Sequence, residues 1–190
     1  NTEVLAIRQT EEGFVVESNE DTYFGKMVFN CAGLFADKVQ ELAFEPSVQL
    51  KLDGAEYLVF DRLAKKPERV IFHQAQSCGK GITAIPCTEG NLLISGVRKD
   101  LDVPFATTPE GLAELRTATK ELLTEVETDK VIRAFGAVRP NPYTDSGESI
   151  SDFCIEQPAP GFYSLIGIKA PGLTCAEGLG MLLAEKAAAY

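Results

Sequence analysis

The sequence contains few residues that could hold a metal ion or build a disulfide framework. Among its 190 residues are one histidine, His73, and five cysteines, none of them arranged as Cys-x-x-Cys. A structural zinc ion takes about four nitrogen or sulfur ligands, and an odd set of scattered cysteines suits neither such a site nor a set of disulfides. We therefore expect no metal site, a reducing cytoplasmic location and inert buried thiols at Cys31, Cys78, Cys87, Cys154 and Cys175.

Positive charge and long apolar runs are also scarce. The chain carries 18 Lys and Arg against 28 Asp and Glu, a formal net charge of −10. That charge repels phosphate backbones, so we expect no nucleic-acid partner. No apolar run approaches the roughly 18 residues of a spanning helix, so we expect no membrane-spanning segment. Any membrane association would need parts of the protein outside this chain.

The pattern of strands and turns predicts an α+β fold. Apolar segments of strand length alternate with turns such as Asp53-Gly54. The predicted strands cover residues 4–9, 14–17, 23–30, 48–52, 55–60, 70–73, 81–85, 92–97 and 130–140. One long helix interrupts them. Thr107 or Thr108 would cap it and Pro109 would occupy its first turn. Its apolar stripe consists of Leu112, Leu115, Leu122 and Val126.

Two further strands each lead into a turn of small residues that opens a helix. The first follows the sequence VFNCAGLFADKV, with Ala32 and Gly33 in the turn before a helix that runs to about residue 42. The second is a strand over residues 162–168, followed by a helix that begins at Gly172 and Thr174. Helix N-termini carry unpaired N–H groups and a positive dipole end, which favour an electronegative ligand. An ordinary strand-to-helix connection would look the same, so both interpretations stay open from these segments alone.

A third motif, Ala-Phe-Gly-Ala-Val-Arg-Pro, ends in Arg139 and Pro140. Because Pro140 follows Arg139, we expect this arginine at the end of a strand, where the chain leaves the sheet for a loop. Catalytic and binding residues favour such positions. A guanidinium presents a planar fork of donors that matches a carboxylate or phosphate. The alternative role for this residue is a surface ion pair.

In chain order, with the Arg139 motif between the two strand-turn-helix segments, the three motifs resemble the FAD-dependent oxidoreductases of the D-amino-acid oxidase superfamily. Within it they look most like flavin-linked glycerol-3-phosphate dehydrogenases and 2-hydroxyglutarate oxidases. Those proteins hold the pyrophosphate of FAD with a Gly-x-Gly-x-x-Gly turn, which this sequence lacks. We therefore expect this chain to be a piece of a longer protein. By itself, the piece would bind no flavin and would be inactive.

The resemblance implies a domain organisation. Residues 1–43 would form part of the FAD-binding domain, and residues 44–135 would form a substrate-binding domain. That second domain would be a mixed, mainly antiparallel sheet with the long helix packed on it. Residues 136–190 would return to the FAD-binding domain.

The resemblance also implies site residues. Arg139 and Lys169 would bind the substrate, and no residue is assigned as the catalytic base. His73 is expected to be structural rather than catalytic. Residues that would hold FAD are Val4, Ala32, Gly33, Gly167, Gly172, Leu173 and Thr174.

The implied activity is oxidation of a small anionic hydroxylated substrate, with an unspecified electron acceptor. Glycerol 3-phosphate is the first candidate, because Lys169 resembles the lysine of a Gly-Gly-Lys-Leu-Thr-Thr motif in enzymes that oxidise it. The inserted Ala170-Pro171, and the lack of an arginine before Asp152-Phe153, look closer to oxidases of 2-hydroxy acids such as 2-hydroxyglutarate. The alternative from another class is a non-catalytic binding or interaction domain.

Overall fold

A computed structural model describes residues 2–63, 65–73, 81–98 and 105–190, with no account of the side chains of residues 97 and 98. The chain divides into two compact units, which we call the first unit (residues 1–51 and 140–190) and the second unit (residues 52–139). The expected borders were 43/44 and 135/136, so the observed units divide farther along the chain at both places. The roles expected for the two units stay predictions.

The fold is α+β, with mainly antiparallel sheets, as predicted. In chain order the elements are β1 (Val4–Thr10), β2 (Gly13–Ser18), β3 (Thr22–Gly25), β4 (Val28–Asn30), a 3-10 turn (Gly33–Phe35), α1 (Ala36–Glu41), β5 (Val48–Phe60), β6 (Ile71–Phe72), β7 (Thr83–Pro86), β8 (Leu92–Arg98), α2 (Pro109–Leu122), β9 (Val131–Thr144), β10 (Cys154–Ala159), β11 (Phe162–Ile166) and α3 (Gly172–Ala188). None of the helices in the described ranges is long and apolar enough to cross a membrane.

The first unit contains two three-stranded sheets. Strands β1, β2 and β3 form an antiparallel meander. In the other sheet, β11 lies between β10 and β4, antiparallel to β10 and parallel to β4. The ring of Phe14 on β2 packs edge-on against Phe162 on β11, with ring centroids 5.6 Å apart. Both rings are almost fully buried, so this aromatic pair is central to the core of the unit.

The predicted strand over residues 23–30 is wrong in one respect, because it is two strands in different sheets. β3 ends at Gly25 in the meander, and β4 begins at Val28 beside β11. A glycine within a strand weakens it and marks a bend. A run of strand-forming residues does not reveal that its halves pair with different partners. The predicted strand over 162–168 likewise ends earlier, at Ile166, because Gly167 has a φ of +70°.

The second unit is built on a sheet with the strand order β6-β7-β8-β5-β9. The turn predicted at Asp53-Gly54 is wrong, since β5 is one continuous strand of 13 residues. Gly54 to Phe60 pair in antiparallel register with β8. Asp-Gly favours a turn locally, but the ladder with β8 overrides that preference. This is the usual dependence of strands on tertiary context.

Helix α2 begins as predicted. Thr108 caps it, because its Oγ1 accepts a hydrogen bond from the backbone N–H of Gly111 at 3.1 Å, and Pro109 is the first helical residue. The Thr108 hydroxyl and amide both donate to the buried carboxylate of Glu56 on β5. Leu115 is buried against the sheet, with Leu112 and Leu122 packed beside it, while Val126 contacts the same core from the segment after the helix.

Candidate functional site

The two turns of small residues leave from one edge of the same sheet. β4 and β11 are parallel neighbours, in a register that pairs Asn30 with Ser164. The carboxyl ends of parallel strands open at one edge, which is where open α/β sheets bind their ligands. The turn after β4, at Cys31 to Gly33, therefore starts beside the turn after β11, at Gly167 to Pro171. This juxtaposition is the candidate site of the first unit.

The turn at Gly33 has open space beside its backbone. Gly33 has a φ of +60°, and a Cβ added there would meet none of the described atoms within 4 Å. Cys31 and Ala32 are exposed. The helix predicted from Gly33 is a 3-10 turn followed by the six-residue α1, so a helix dipole contributes less here than expected. The turn therefore presents exposed backbone to which a ligand could bind.

Gly167 and Gly172, at the two ends of the second turn, are closely packed. A Cβ on Gly167 would lie 2.6 Å from Cγ of Pro142, and one on Gly172 would lie 2.6 Å from Cγ2 of Ile168. Their assignment to FAD binding stays a prediction. The exposed residues at the start of α3 are Leu173 and Thr174, which lie in the first turn, where the helix supplies no acceptor for an amide.

Lys169 lies between these two glycines and is half-buried. Its Nζ donates hydrogen bonds to Oδ1 of Asn141 at 3.3 Å and to the carbonyl of Ile150 at 3.4 Å. Both acceptors are neutral oxygen atoms. Over the described ranges, no carboxylate forms an ion pair with Lys169, so its charge is available to an anionic ligand.

Arg139 belongs to the second unit and lies inside a strand. The prediction that it sits at a strand end is wrong, because β9 continues to Thr144. Pro140 and Pro142 do not end the strand, since proline is tolerated where no ladder N–H is required. Arg139 is half-buried, with its Nε atom inside the protein.

Other residues of β9 pack against two parts of the second unit. Phe135 stacks on Tyr57 of β5, with ring centroids 4.7 Å apart and planes within 2°. Val131 and Ala134 pack into the core formed with α2. Arg139 lies four residues after Phe135 on the same strand, and its guanidinium is suited to bind a small anion.

His73 follows β6 and is exposed, and its backbone N–H donates to the carbonyl of Ile82 at 3.0 Å. Whether it is structural or catalytic stays a prediction. In the described part of the chain, no three His, Cys, Asp or Glu side chains are grouped so that they could hold a metal ion. Cys78 lies outside the described residues.

The cysteines are less uniform than predicted, because Cys31 is exposed while Cys87, Cys154 and Cys175 are partly buried. Burial, and then the carboxylates of Glu156 and Asp152, raise the pKa of the Cys154 thiol above its ordinary value of 9.0, and Lys169 opposes them.

We expect iodoacetamide to alkylate Cys31 faster than Cys154 at about pH 8, because the thiolate is the reactive form and burial limits access. The rate at Cys154 should still be rising when the pH passes 9.0, the ordinary pKa of a thiol. Peptide mass spectrometry over a pH series measures both rates. Equal rates, or a plateau for Cys154 below that pH, would contradict the assignment.

Two functional candidates escaped the sequence analysis. Asn30 and Ser164 are buried polar residues on the paired strands β4 and β11. The available signals were an asparagine directly before Cys-Ala-Gly and a serine inside the apolar run Phe-Tyr-Ser-Leu-Ile. Neither signal indicates that the two side chains are hydrogen-bond partners, because the two residues are far apart in sequence.

Comparison with known proteins agrees with this geometry. The family described as FAD dependent oxidoreductase matches residues 1–186. A glycerol 3-phosphate dehydrogenase from Caloramator mitchellensis is 30% identical over 190 aligned residues, which cover 97% of this chain and 38% of that protein.

Two solved structures share the fold. One is dithionite-reduced L-α-glycerophosphate oxidase from Mycoplasma pneumoniae with FAD bound, which has a TM-score of 0.77 at 24% identity and matches over 92% of this chain and 47% of its own. The other is glycerol-3-phosphate dehydrogenase from Bacillus halodurans complexed with FAD, with a TM-score of 0.72 at 23% identity over 97% of this chain and 38% of its own.

The chain thus spans less than half the length of these proteins. The resemblance drawn from three motifs is confirmed, since the match covers nearly the whole chain: it belongs to the family of FAD-dependent oxidoreductases.

Proposed function

We propose that this chain is part of a longer FAD-dependent enzyme, here called the complete flavoprotein, which oxidises glycerol 3-phosphate. The observation that carries the proposal is the likeness over 97% of the chain to a glycerol 3-phosphate dehydrogenase. The cations of the two units support it. Lys169 hydrogen-bonds only to neutral oxygens among the described residues, and Arg139 is half-buried on β9.

The chain's own residues fit FAD at the turn after β4. The space beside Gly33 is free of described atoms, so the backbone there is accessible to a large planar or anionic ligand. The amides of Leu173 and Thr174, in the first turn of α3, add donors for electronegative atoms. Ala32 would contribute its exposed backbone, and Val4 a half-buried side chain on β1. When bound, FAD supplies the acceptor for the hydride removed from the substrate.

The roles of the two cations follow from their chemistry. Arg139 would bind the substrate's anionic group through its planar fork of donors. Lys169 would add a positive charge that stabilises negative charge as it develops on the bound substrate and cofactor. Gly167 and Gly172 would act indirectly, since their close contacts with Pro142 and Ile168 hold the turn that carries Lys169.

A 2-hydroxy acid such as 2-hydroxyglutarate is the second candidate substrate. Ala170-Pro171 interrupts the lysine motif, and serine rather than arginine precedes Asp152. Without that arginine, one charge-assisted donor for a phosphate group is missing. The family match supports an oxidoreductase over a non-catalytic binding domain.

A substrate panel tests the proposal in the complete flavoprotein. Rates with glycerol 3-phosphate, 2-hydroxyglutarate and glycerol are measured with an artificial electron acceptor, which avoids any assumption about the natural one. We expect the largest kcat/KM for glycerol 3-phosphate. A larger value for 2-hydroxyglutarate would favour the second candidate, and no rate with any of them would contradict both.

We expect the substitution Gly33→Ala to weaken FAD binding more than it weakens folding. Alanine at positive φ costs about 1–2 kcal/mol, and its methyl group would enter the space proposed for the ligand. Crowding of that kind costs about 1–3 kcal/mol, which corresponds to a rise of roughly five- to 150-fold in the Kd for FAD. Flavin fluorescence titration gives the Kd, and denaturant unfolding gives the stability.

Gly147→Ala is the matched control for that prediction. Gly147 also has positive φ and open space around its Cα, but it lies in the loop between β9 and β10 and belongs to neither turn. It should lose similar stability with an unchanged Kd for FAD. Equal changes of Kd in the two variants would mean that Gly33 does not face the cofactor.

A further inference from the structure

One buried amide side chain connects the turn after β4 to the neighbouring strand β11. Asn30, the last residue of β4, is only 3% exposed. Its Nδ2 donates to Oγ of Ser164 on β11 at 2.9 Å and to the backbone carbonyl of Ala36, the first residue of α1, at 2.7 Å. Both N–H groups of this side chain are therefore used.

The oxygen of the same side chain holds the turn itself. The backbone N–H of Ala32 donates to Oδ1 of Asn30 at 3.2 Å. Hydrogen bonds from one side chain thus reach Ala32 in the turn and Ala36 at the start of α1, with a glycine at positive φ and the exposed Phe35 between them. The bond to the fully buried Ser164 fixes this assembly to the neighbouring strand.

We propose that Asn30 is a positioning residue. Together with Ser164, it holds residues 31–35, which comprise the turn after β4 and the following 3-10 turn, in the conformation that opens Gly33 to FAD. The inference rests on the proposed function. An exposed turn with a glycine samples many conformations, and ordering it upon binding costs free energy. A side chain that orders the turn beforehand removes that cost, so binding is tighter without any contact between Asn30 and the ligand.

Asparagine is the side chain that this arrangement needs. Aspartate has the same size and still accepts from Ala32, but it has no donor for the carbonyl of Ala36 and places a charge in a buried position. Ser164→Ala is milder, since it removes only the bond to the neighbouring strand. Ser164→Ala should therefore loosen the turn in the same way as Asn30→Asp, but to a smaller extent.

The first test is hydrogen exchange in the complete flavoprotein after FAD has been removed. In Asn30→Asp, we expect amides from Ala32 to Phe35 to exchange about five- to tenfold faster, the effect of one lost hydrogen bond. Amides of β1 and β2 should not change. A role confined to global stability would instead raise exchange throughout the first unit, and that result would overturn the proposal.

The second test is the Kd for FAD, measured by flavin fluorescence. We expect a rise of roughly tenfold in Asn30→Asp and a smaller rise in Ser164→Ala. Asn91→Asp is the matched control, because Asn91 also donates from Nδ2 to a carbonyl, that of Phe60 in the second unit. It should leave both the Kd and the exchange of the turn unchanged.

The outcomes separate the two proposals. If the unmodified protein binds no FAD, the proposed function fails, while the exchange data still decide whether Asn30 orders the turn. If FAD binds and Asn30→Asp changes neither exchange nor Kd, the positioning role is wrong. Should Asn30→Asp fail to fold, Ser164→Ala decides by the same two measurements: faster exchange at the turn with a weaker Kd supports the role, and no change overturns it.

Discussion

Replacement of Arg139 by alanine should lower kcat/KM for glycerol 3-phosphate roughly ten- to a hundredfold in the complete flavoprotein. The change removes a charge-assisted, bidentate contact, worth about 1.5–3 kcal/mol. Arg139 is half-buried, with its Nε atom inside the protein, so its side chain loses less freedom on binding a ligand than an exposed arginine would. Steady-state kinetics with an artificial acceptor measures the loss.

Three controls define what that loss means. Arg139→Lys should recover only part of the rate, because an ammonium keeps the charge and loses the fork. With glycerol, which has no anionic group, the alanine variant should lose almost nothing. Arg133→Ala, an exposed arginine earlier on the same strand, should leave both substrates unaffected. Equal losses with charged and uncharged substrates would show that Arg139 supports the fold or the cofactor instead.

The substitution Leu115→Ala should cost about 2–5 kcal/mol of unfolding free energy. Leu115 is 5% exposed in the core of the second unit. It packs so closely on β8 that a Cβ at Gly96 would lie 2.6 Å from its Cδ2 atom. Neighbours this tightly packed relax little, so the truncation leaves a cavity rather than a collapsed site.

Denaturant unfolding of the two proteins measures this difference. Ile132→Ala is the control in the same unit, since Ile132 is 60% exposed on β9. We expect it to cost about 1 kcal/mol or less, mainly from strand propensity. A loss below about 0.5 kcal/mol for Leu115→Ala would show that α2 does not bury this face.

Local chemistry explains what the sequence predicted well. The start of α2 was predictable because a Thr-Pro pair before an apolar stripe caps a helix without help from distant residues. The strand-turn-helix segments around Gly33 and Gly172 were found for the same reason. The family resemblance followed from the order of these local motifs, and the family match confirms it.

Non-local pairing explains what the sequence did not predict. Asp53-Gly54 has turn chemistry, yet it lies inside β5 because β8 pairs across it. Arg139 was placed at a strand end because Pro140 follows it, but β9 continues through both prolines. The bond between Asn30 and Ser164 joins residues separated by 134 positions. No periodicity or spacing in the chain indicates a contact at that distance.

Anaerobic addition of glycerol 3-phosphate to the complete flavoprotein tests the central claim most directly. We expect the purified protein to carry stoichiometric FAD and to show the yellow absorbance of oxidised flavin, which the substrate should bleach within the time of a few turnovers. Glycerol at the same concentration should bleach it far more slowly, because the contact with Arg139 is missing. A colourless protein that cannot be reconstituted with FAD, or a flavin that glycerol 3-phosphate leaves oxidised, would contradict the account.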